Sequence, residues 1–188
     1  MKGEQIRLET PLSPEDIEPL KTGDVVLLSG VLYTARDAAH ARMKTAIEAG
    51  EPLPFDPEGQ IVYFTGPVPA RPGHALGPAG PTTASRMDPY SPLLIERGLR
   101  GMVGKGVRAE AVQATMRERG CVYFGAIEGT AALLADRVKE AEIVAYEDLG
   151  AEAIRRLVVE DFPVVVVNDL HGGDLYREGR ERWRRPVG

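Results

Sequence analysis

Residues 24–50 read DVVLLSGVLYTARDAAHARMKTAIEAG, and the periodicity of this stretch changes from that of a strand to that of a helix. The apolar run closed by Gly30 predicts a buried strand. Apolar residues then recur at about helical spacing over residues 38–47, and Thr34 and Asp37 stand in capping-box register before them. A buried strand that leads directly into a helix is typical of an α/β protein.

The same two patterns continue on both sides of this stretch. Further strands are predicted over residues 5–9, 61–66, 101–106, 121–126, 142–150 and 162–169. Further helices are predicted after Ser91-Pro92 and over residues 108–119, 129–138 and 151–157. The alternation of strands and helices is only partial, so we predict a mixed α/β domain and not a plain Rossmann-type sheet. Neither a GxGxxG nor a Walker A sequence is present.

Length and composition restrict the class of protein. The chain has 188 residues, of which 43% are hydrophobic, which suits a single folded domain over residues 1–188. Its net charge of −5 disfavours a nucleic-acid surface and favours a local cationic pocket for a small anion. No apolar run approaches the roughly 20 residues that span a bilayer, and the start has no signal-peptide core. We expect a cytoplasmic protein that does not enter membranes.

Cysteine and histidine usage argues against a metal site within the chain. Cys121 is the only cysteine, whereas an iron–sulfur cluster needs about three or four thiolates. The three histidines, at positions 40, 74 and 171, lie far apart without metal-ligand spacing. Any metal chemistry would therefore use a metal held by another chain.

Three segments stand apart from the predicted core. In residues 66–81, nine of sixteen residues are Gly or Pro, which is typical either of a functional loop or of a flexible connector. Residues 1–19 form an N-terminal extension. Residues 177–188 form a basic tail with five arginines and two glutamates, expected as a partly frayed terminus or as a surface that docks on an acidic partner.

The first candidate ligand-binding residue is Arg36, in the motif Thr34-Ala35-Arg36-Asp37 at a strand-to-helix junction. Free N–H groups at the start of the helix would bind a carboxylate, and Arg36 would close over it in bidentate fashion. The alternative is an ordinary surface pair in which Asp37 neutralises Arg36.

The second and third candidates lie further along the chain. In Thr82-Thr83-Ala84-Ser85-Arg86, three hydroxyls and an arginine follow a rigid Gly-Pro turn, and helix capping by the threonines is the alternative. In Gly104-Lys105-Gly106, the glycines would let a ligand approach the backbone while the lysine supplies charge, and a plain turn is the alternative. A polar group at 168–174 fits a strand-end turn equally well, so we predict no site there.

These motifs occur in an order that resembles a known family. The stretches TARDAAH, GPTTASRMD and GMVGKG, with YEDLGAEAI and FPVVVVND after them, resemble the beta subunit of class I fumarate hydratase and of L-tartrate dehydratase. The resemblance covers about residues 20–176. It implies a swivelling β/β/α domain and a hydro-lyase that reversibly hydrates fumarate to malate. It also implies an alpha subunit whose [4Fe–4S] cluster acts as Lewis acid on the departing hydroxyl, in a homo-dimer or hetero-oligomer.

The resemblance also implies roles for particular residues. Arg36 and Arg86 would bind the carboxylates of a small dicarboxylate substrate, and Lys105 would add positive charge. Thr82 would lie near the position of proton transfer, as a catalytic or positioning residue. Residues 66–81 and the stretch GAIEGTAAL match the family only loosely, which leaves fumarate, tartrate and a related hydroxy-acid open as substrates.

Two other functional classes remain as alternatives. A non-catalytic module that binds small anions would also explain a cationic pocket without metal ligands, and it differs from the enzyme in needing no cluster-bearing partner. A stand-alone hydrolase is disfavoured, because Ser29-Gly30 is no nucleophile elbow and no Ser, His and Asp arrangement is recognisable.

Overall fold

Seven strands and six helices make up the described part of the protein, which in this computed structural model comprises residues 5–127 and 129–185. The strands are β1 (Ile6–Glu9), β2 (Val25–Thr34), β3 (Ile61–Tyr63), β4 (Gly101–Gly104), β5 (Val122–Gly125), β6 (Val138–Ala145) and β7 (Ile154–Asn168). The helices are α1 (Pro14–Ile17), α2 (Asp37–Ala49), α3 (Ser91–Ile95), α4 (Glu110–Arg119), α5 (Ala131–Ala135) and α6 (Leu175–Trp183). Two 3-10 segments cover Ala84–Met87 and Glu147–Glu152.

The strands form one sheet that closes into a barrel. Strands β1 to β5 run parallel to their neighbours, whereas the 15-residue β7 pairs antiparallel with both β2 and β5. Strands β2, β3, β4, β5 and β7 thereby close on one another, while β1 and β6 add to the outside of the long strands. The prediction of a mixed α/β single domain, and not a plain Rossmann-type sheet, is confirmed.

Two hydrophobic cores lie on the two faces of this sheet. Tyr63 packs inside with Phe124 and Phe162, whereas its neighbour Val62 packs with Met43 under the helices. This alternation follows from the period of two of a strand, and both sets of side chains are fully buried or nearly so. Both faces of the central strands are therefore covered, which explains their continuous apolar sequences.

The carboxyl ends of β2 to β5 lie at one edge of the sheet, because these strands run parallel. The chain leaves β2 into α2, leaves β3 into the Gly/Pro-rich loop and leaves β4 into the Gly-Lys-Gly turn. In open α/β sheets and in parallel α/β barrels alike, ligands bind at the edge formed by the carboxyl ends of the strands. The fold therefore carries all three predicted motifs to the place where a ligand is expected.

The prediction of a helix over residues 151–157 is wrong. Gly150, at φ 58° and ψ −113°, breaks the 3-10 segment, and β7 begins at Ile154, which is fully buried. In this region β7 is hydrogen-bonded to β2 on one side and to β6 on the other. Pairing on both edges outweighs the local preference of Ala and Glu for a helix.

Two other predicted boundaries differ from the structure. The strand expected over residues 142–150 ends at Ala145, because Tyr146 adopts a left-handed backbone with φ 57°. The helix expected over residues 129–138 shortens to the five residues of α5, because Val138 already pairs with Val159 as the first residue of β6. Tertiary pairing sets both of these limits.

Both terminal segments contribute regular structure. Strand β1, within the predicted extension of residues 1–19, pairs with β2. Helix α6 runs into the predicted tail of residues 177–188, is capped by the Asp174 carboxylate and ends at Trp183, which is 77% exposed. Residues 1–4 and 186–188 of these segments lie outside the described residues. Of the helices described, none combines the length and apolar character that crossing a bilayer requires.

Candidate functional site

Arg36 is placed at the sheet edge by the junction between β2 and α2. It is the N-cap residue of α2 and has an extended backbone. The capping-box role expected of Thr34 is wrong, because Thr34 is buried and its hydroxyl donates to the carbonyl of Ala153 and accepts from the N–H of Arg155. The side chain of Thr34 thus joins β2 to β7, and the start of α2 must find another acceptor.

A carboxylate of this chain supplies that acceptor. Glu152 Oε2 accepts a hydrogen bond from the backbone N–H of Ala38 at 2.9 Å, and Glu152 Oε1 lies 3.5 Å from Arg36 Nη2. The carboxylate at this helix end thus belongs to the chain itself, and binding of a ligand carboxylate by Arg36 stays a prediction. Sequence reasoning did not identify Glu152, because it assigned residues 151–157 to a helix.

Asp37 connects the first and second predicted motifs. Arg86, in the 3-10 segment, donates through Nε to Asp37 Oδ1 at 2.8 Å, and Arg36 Nε lies 3.7 Å from Asp37 Oδ2. The structure thus brings the two predicted arginines to opposite oxygens of one carboxylate. The alternative in which Asp37 simply neutralises Arg36 describes only the longer of these contacts.

Thr82 and Lys105 are joined through their backbones. Residues 83 and 105 form an isolated parallel bridge, in which the N–H of Lys105 donates to the carbonyl of Thr82 at 3.2 Å and the N–H of Ala84 donates to the carbonyl of Lys105 at 2.8 Å. The N–H of Thr82 donates to the carbonyl of Phe64 at 2.6 Å, just beyond the end of β3. The second and third motifs therefore pair with each other through backbone hydrogen bonds, just beyond the ends of β3 and β4.

Two phenols fix the turn that follows Lys105. Tyr123 donates its hydroxyl to the carbonyl of Gly106 at 3.0 Å, and the N–H of Gly106 donates to the hydroxyl of Tyr176 at 3.0 Å. Gly106 has φ +83°, a conformation that glycine adopts without strain. The turn conformation therefore explains why glycine stands at position 106.

A buried ion pair lies beneath these segments. Arg108, whose side chain is fully buried, donates to Asp88 at 2.7 Å and to the hydroxyl of Ser91 at 2.6 Å. The other oxygen of Asp88 accepts from the N–H of Ala109 at 2.9 Å. This pair ties the segment that carries Arg86 to the segment after Lys105. It was not predicted, although Asp88 belongs to the motif that carries the family resemblance.

His40 supports Arg36 from the core side. Both its backbone N–H and its ring Nδ1 lie 2.9 Å from the carbonyl of Arg36, and because a carbonyl only accepts, Nδ1 carries the proton. Burial, together with the charge of Arg108, lowers the pKa of His40 to about 4, although the hydrogen bond to Arg36 and the charge of Asp37 oppose the shift. The ring is therefore neutral, and its Nε2 has no hydrogen-bond partner among the residues described.

The local charge is smaller than the three predicted cations alone would give. The carboxylates of Asp37 and Glu152 share the edge with Arg36, Arg86 and Lys105, so these five side chains carry a formal charge of +1. Arg86 is 51% exposed, so its guanidinium faces solvent although Nε is bonded. Such a site can pair with the carboxylates of a small dianion.

Two other segments that the sequence analysis singled out are held by hydrogen bonds within the chain. The polar turn at residues 168–174 is organised by Asp169, which accepts from the N–H groups of Thr22, His171 and Gly173. These bonds lower its pKa although burial, the largest single influence, opposes them.

Residues 66–81 are fixed at their end by Thr65 and Tyr63, whose hydroxyls donate to the carbonyls at positions 80 and 79. Within the described ranges, no cluster of three or more His, Cys, Asp or Glu could hold a metal ion.

The chain is similar to known proteins over most of its length. The sequence profile described as "Fumarase C-terminus" matches residues 1–179. Fumarate hydratase 2 of Leishmania major is 38% identical over 176 residues, which are 92% of this chain and 31% of that protein. The anaerobic class I fumarate hydratase of Escherichia coli is 40% identical over 153 residues, which are 80% of this chain and 28% of that protein. The chain thus spans about a third of the length of these relatives.

A further relative has about the length of this chain. The protein named "Putative L(+)-tartrate dehydratase subunit beta" of Methanocaldococcus jannaschii is 37% identical over 173 residues, which are 89% of each chain. The profile match covers the barrel and every motif at its edge. The chain therefore belongs to the Fumarase C-terminus family of hydro-lyases.

Proposed function

We propose that this chain is the beta subunit of an iron–sulfur hydro-lyase that reversibly hydrates fumarate to malate, and that its cations bind the dicarboxylate. The arrangement around Asp37 is the observation that carries this proposal. Arg86 uses only Nε for Asp37, and Arg36 lies 3.5 Å or more from both neighbouring carboxylates. Because a guanidinium has five N–H donors, both arginines keep donors for a substrate carboxylate.

The chemistry of the reaction gives each cation a role. In the direction of dehydration, a proton leaves the carbon next to a carboxylate and a hydroxyl leaves the adjacent carbon, so that a double bond forms between them. The oxygens of the carboxylate gain negative charge as the proton leaves. Arg36, Arg86 and Lys105 would stabilise that charge by about 2–4 kcal/mol each if they surround these oxygens in the assembled site.

Thr82 is the proposed residue nearest to the proton that moves. Its backbone is held on both sides, by Phe64 and by Lys105, so the side chain starts from a fixed position. A threonine hydroxyl is a poor base by itself. We therefore propose that Thr82 orients the substrate or relays the proton to a carboxylate of the partner chain.

The residues of this chain do not fit an iron–sulfur cluster. Cys121 is fully buried in the core beside Met116, and burial raises the pKa of its thiol to about 12, far from the thiolate that a cluster needs. We therefore propose that an alpha subunit holds the cluster, which would supply a Lewis acid for the departing hydroxyl.

The test is an assay of fumarate hydration by this chain alone and then by its mixture with a cysteine-bearing partner after anaerobic reconstitution. We expect activity only in the mixture, loss of activity with Arg86→Ala, and full activity with Arg117→Ala, which removes an exposed arginine of α4. A verified complex that acts on none of fumarate, malate and tartrate would overturn the proposal. A non-catalytic module for small anions would then explain the cations.

L-Tartrate is the second candidate substrate. The relative of matching length carries the name of a tartrate dehydratase subunit, whereas the fumarate hydratases are about three times as long as this chain. Comparing kcat/KM for fumarate hydration and tartrate dehydration in the same complex decides between the two substrates. The larger value identifies the substrate for which the site is complementary in the transition state.

A further inference from the structure

Glu152 is held in two ways at the start of α2. Its Oε2 accepts from the N–H of Ala38 at 2.9 Å, and its Oε1 faces Arg36 Nη2 at 3.5 Å. The residue lies at the end of the 3-10 segment Glu147–Glu152, which follows β6. A carboxylate from the second half of the chain thus connects the backbone of the helix to the guanidinium of its N-cap residue.

The side chain of Arg36 runs through a narrow slot past Gly66, where an added Cβ would require its neighbours to shift by a few tenths of an ångström. A Cβ at position 66 would lie 3.1 Å from Arg36 Nη1, 3.2 Å from Arg36 Cδ and 3.2 Å from the carbonyl of Ala151. Arg36 Nε is buried and has no hydrogen-bond partner in the described part of the chain. The direction of the guanidinium therefore depends on this slot and on the carboxylates at its two sides.

We propose that Glu152 is a positioning residue that aims Arg36 at the substrate carboxylate. A competing possibility is that Glu152 occupies the place of the substrate and must leave. The shorter contact of Glu152 is to the backbone of α2, which is fixed by the sheet, so Glu152 stays when a ligand arrives. The ion-pair distance of 3.5 Å exceeds the roughly 2.8 Å of a charge-assisted hydrogen bond, which leaves Arg36 donors for the ligand.

The inference rests on the proposed function for its kinetic test, which is Glu152→Gln in the assembled complex. The amide keeps an acceptor for Ala38 but loses the charge that attracts Arg36. We expect KM for the dicarboxylate to rise about tenfold while kcat changes less than about threefold. Glu147→Gln, the same substitution at an exposed position of the same segment, is the matched control and leaves KM unchanged. An unchanged or lower KM for Glu152→Gln would refute the positioning role.

A double-mutant cycle separates positioning from helix capping. If Glu152 acts through Arg36, the Glu152→Gln substitution has no further effect on KM in an Arg36→Ala background. Loss of helix capping, in contrast, lowers the thermal midpoint equally in both backgrounds. An effect on KM that persists at full size without Arg36 contradicts the proposal.

A measurement on the full chain alone tests the inference without any assumption about the reaction. The buried Arg36 Nε–H should give a distinct, slowly exchanging resonance in the nuclear magnetic resonance spectrum. We expect this resonance to shift and exchange faster in Glu152→Gln and in Gly66→Ala, and to be unchanged in Glu147→Gln. If Glu152→Gln leaves it unchanged, Glu152 does not hold Arg36. An inactive complex with a shifted resonance, in contrast, would refute only the proposed function.

Discussion

Arg86 donates through Nε to Asp37 Oδ1 at 2.8 Å, across 49 positions of sequence, and this bond sets the separation of the two arginines at the sheet edge. Arg36 lies on the other side of the same carboxylate, 3.7 Å from Oδ2. A single acidic residue thus contacts both guanidinium groups, and under the proposed function it would determine where they meet a dicarboxylate. It also links α2 to the segment that follows β3, which the sequence presents as separate motifs.

We predict that Asp37→Asn raises KM for the dicarboxylate about tenfold, because both arginines lose the charge that orients them. Stability should fall by less than about 1 kcal/mol, since the Asp37–Arg86 pair is partly exposed. Steady-state kinetics and denaturant unfolding measure the two effects. Asp148→Asn, which removes an exposed partner of Arg42, serves as the control. A large loss of stability with unchanged KM would show that Asp37 is structural.

The activity of Arg86→Lys should lie between that of the natural protein and that of Arg86→Ala. Lysine keeps the charge but cannot bond Asp37 and a substrate carboxylate at once through a planar fork. We expect kcat/KM to fall about 100-fold for Arg86→Ala and about tenfold for Arg86→Lys. Equal activities of the two variants would indicate that geometry at this position contributes nothing beyond charge.

Asp88→Ala should destabilise the protein by about 3–5 kcal/mol, because it leaves the buried charge of Arg108 without its partner. The companion variant Glu160→Ala breaks the exposed ion pair with Lys139 and should cost less than about 1 kcal/mol. Denaturant unfolding at neutral pH measures both. Replacing Asp88 and Arg108 together by apolar residues should recover part of the lost stability. If stability does not recover, the loss in Asp88→Ala comes from lost packing and not from an unpaired charge.

Protonation of His40 should weaken the fold in mild acid. Because the pKa of His40 falls from 6.5 to about 4 on folding, mainly by desolvation, the unfolded chain binds more protons between these values. The contribution of His40 to stability is therefore complete above pH 6.5 and is lost as the pH falls towards 4, by at most about 3 kcal/mol. In His40→Asn, which cannot titrate at this position, the free energy of unfolding measured across this pH range should no longer show this decrease.

Cys121 should not react with thiol reagents in the folded chain. Its side chain is fully buried, and desolvation raises its pKa to about 12, although Arg108 and Arg100 oppose the shift. We expect modification to become fast only when the chain is unfolded in denaturant. Rapid labelling of the native chain would mean that the core around α4 opens, and it would reopen the question of whether Cys121 can bind a metal.

The sequence predicted the central strands well, because their apolar runs are long and their neighbours on both faces are buried. It failed at residues 151–157, where a segment of good helix formers is drawn into β7 by two strand partners. It also failed at Thr34, which joins two strands although its position suggested a helix cap. In both cases partners distant in sequence determined the outcome, and local periodicity carries no information about such partners.

What the sequence determined by itself is the set of candidate residues for the site and their order along the chain. Strand, turn and helix patterns placed Arg36, Thr82, Arg86 and Lys105 at or beyond the ends of predicted strands, and a single cysteine argued for a metal held elsewhere. Only the tertiary structure decided which carboxylates accompany these cations. Asp37 meets Arg86 and Glu152 meets Arg36 because barrel closure through β7 brings segments separated by tens of residues into contact, and hydrogen-bond geometry is fixed only at that stage.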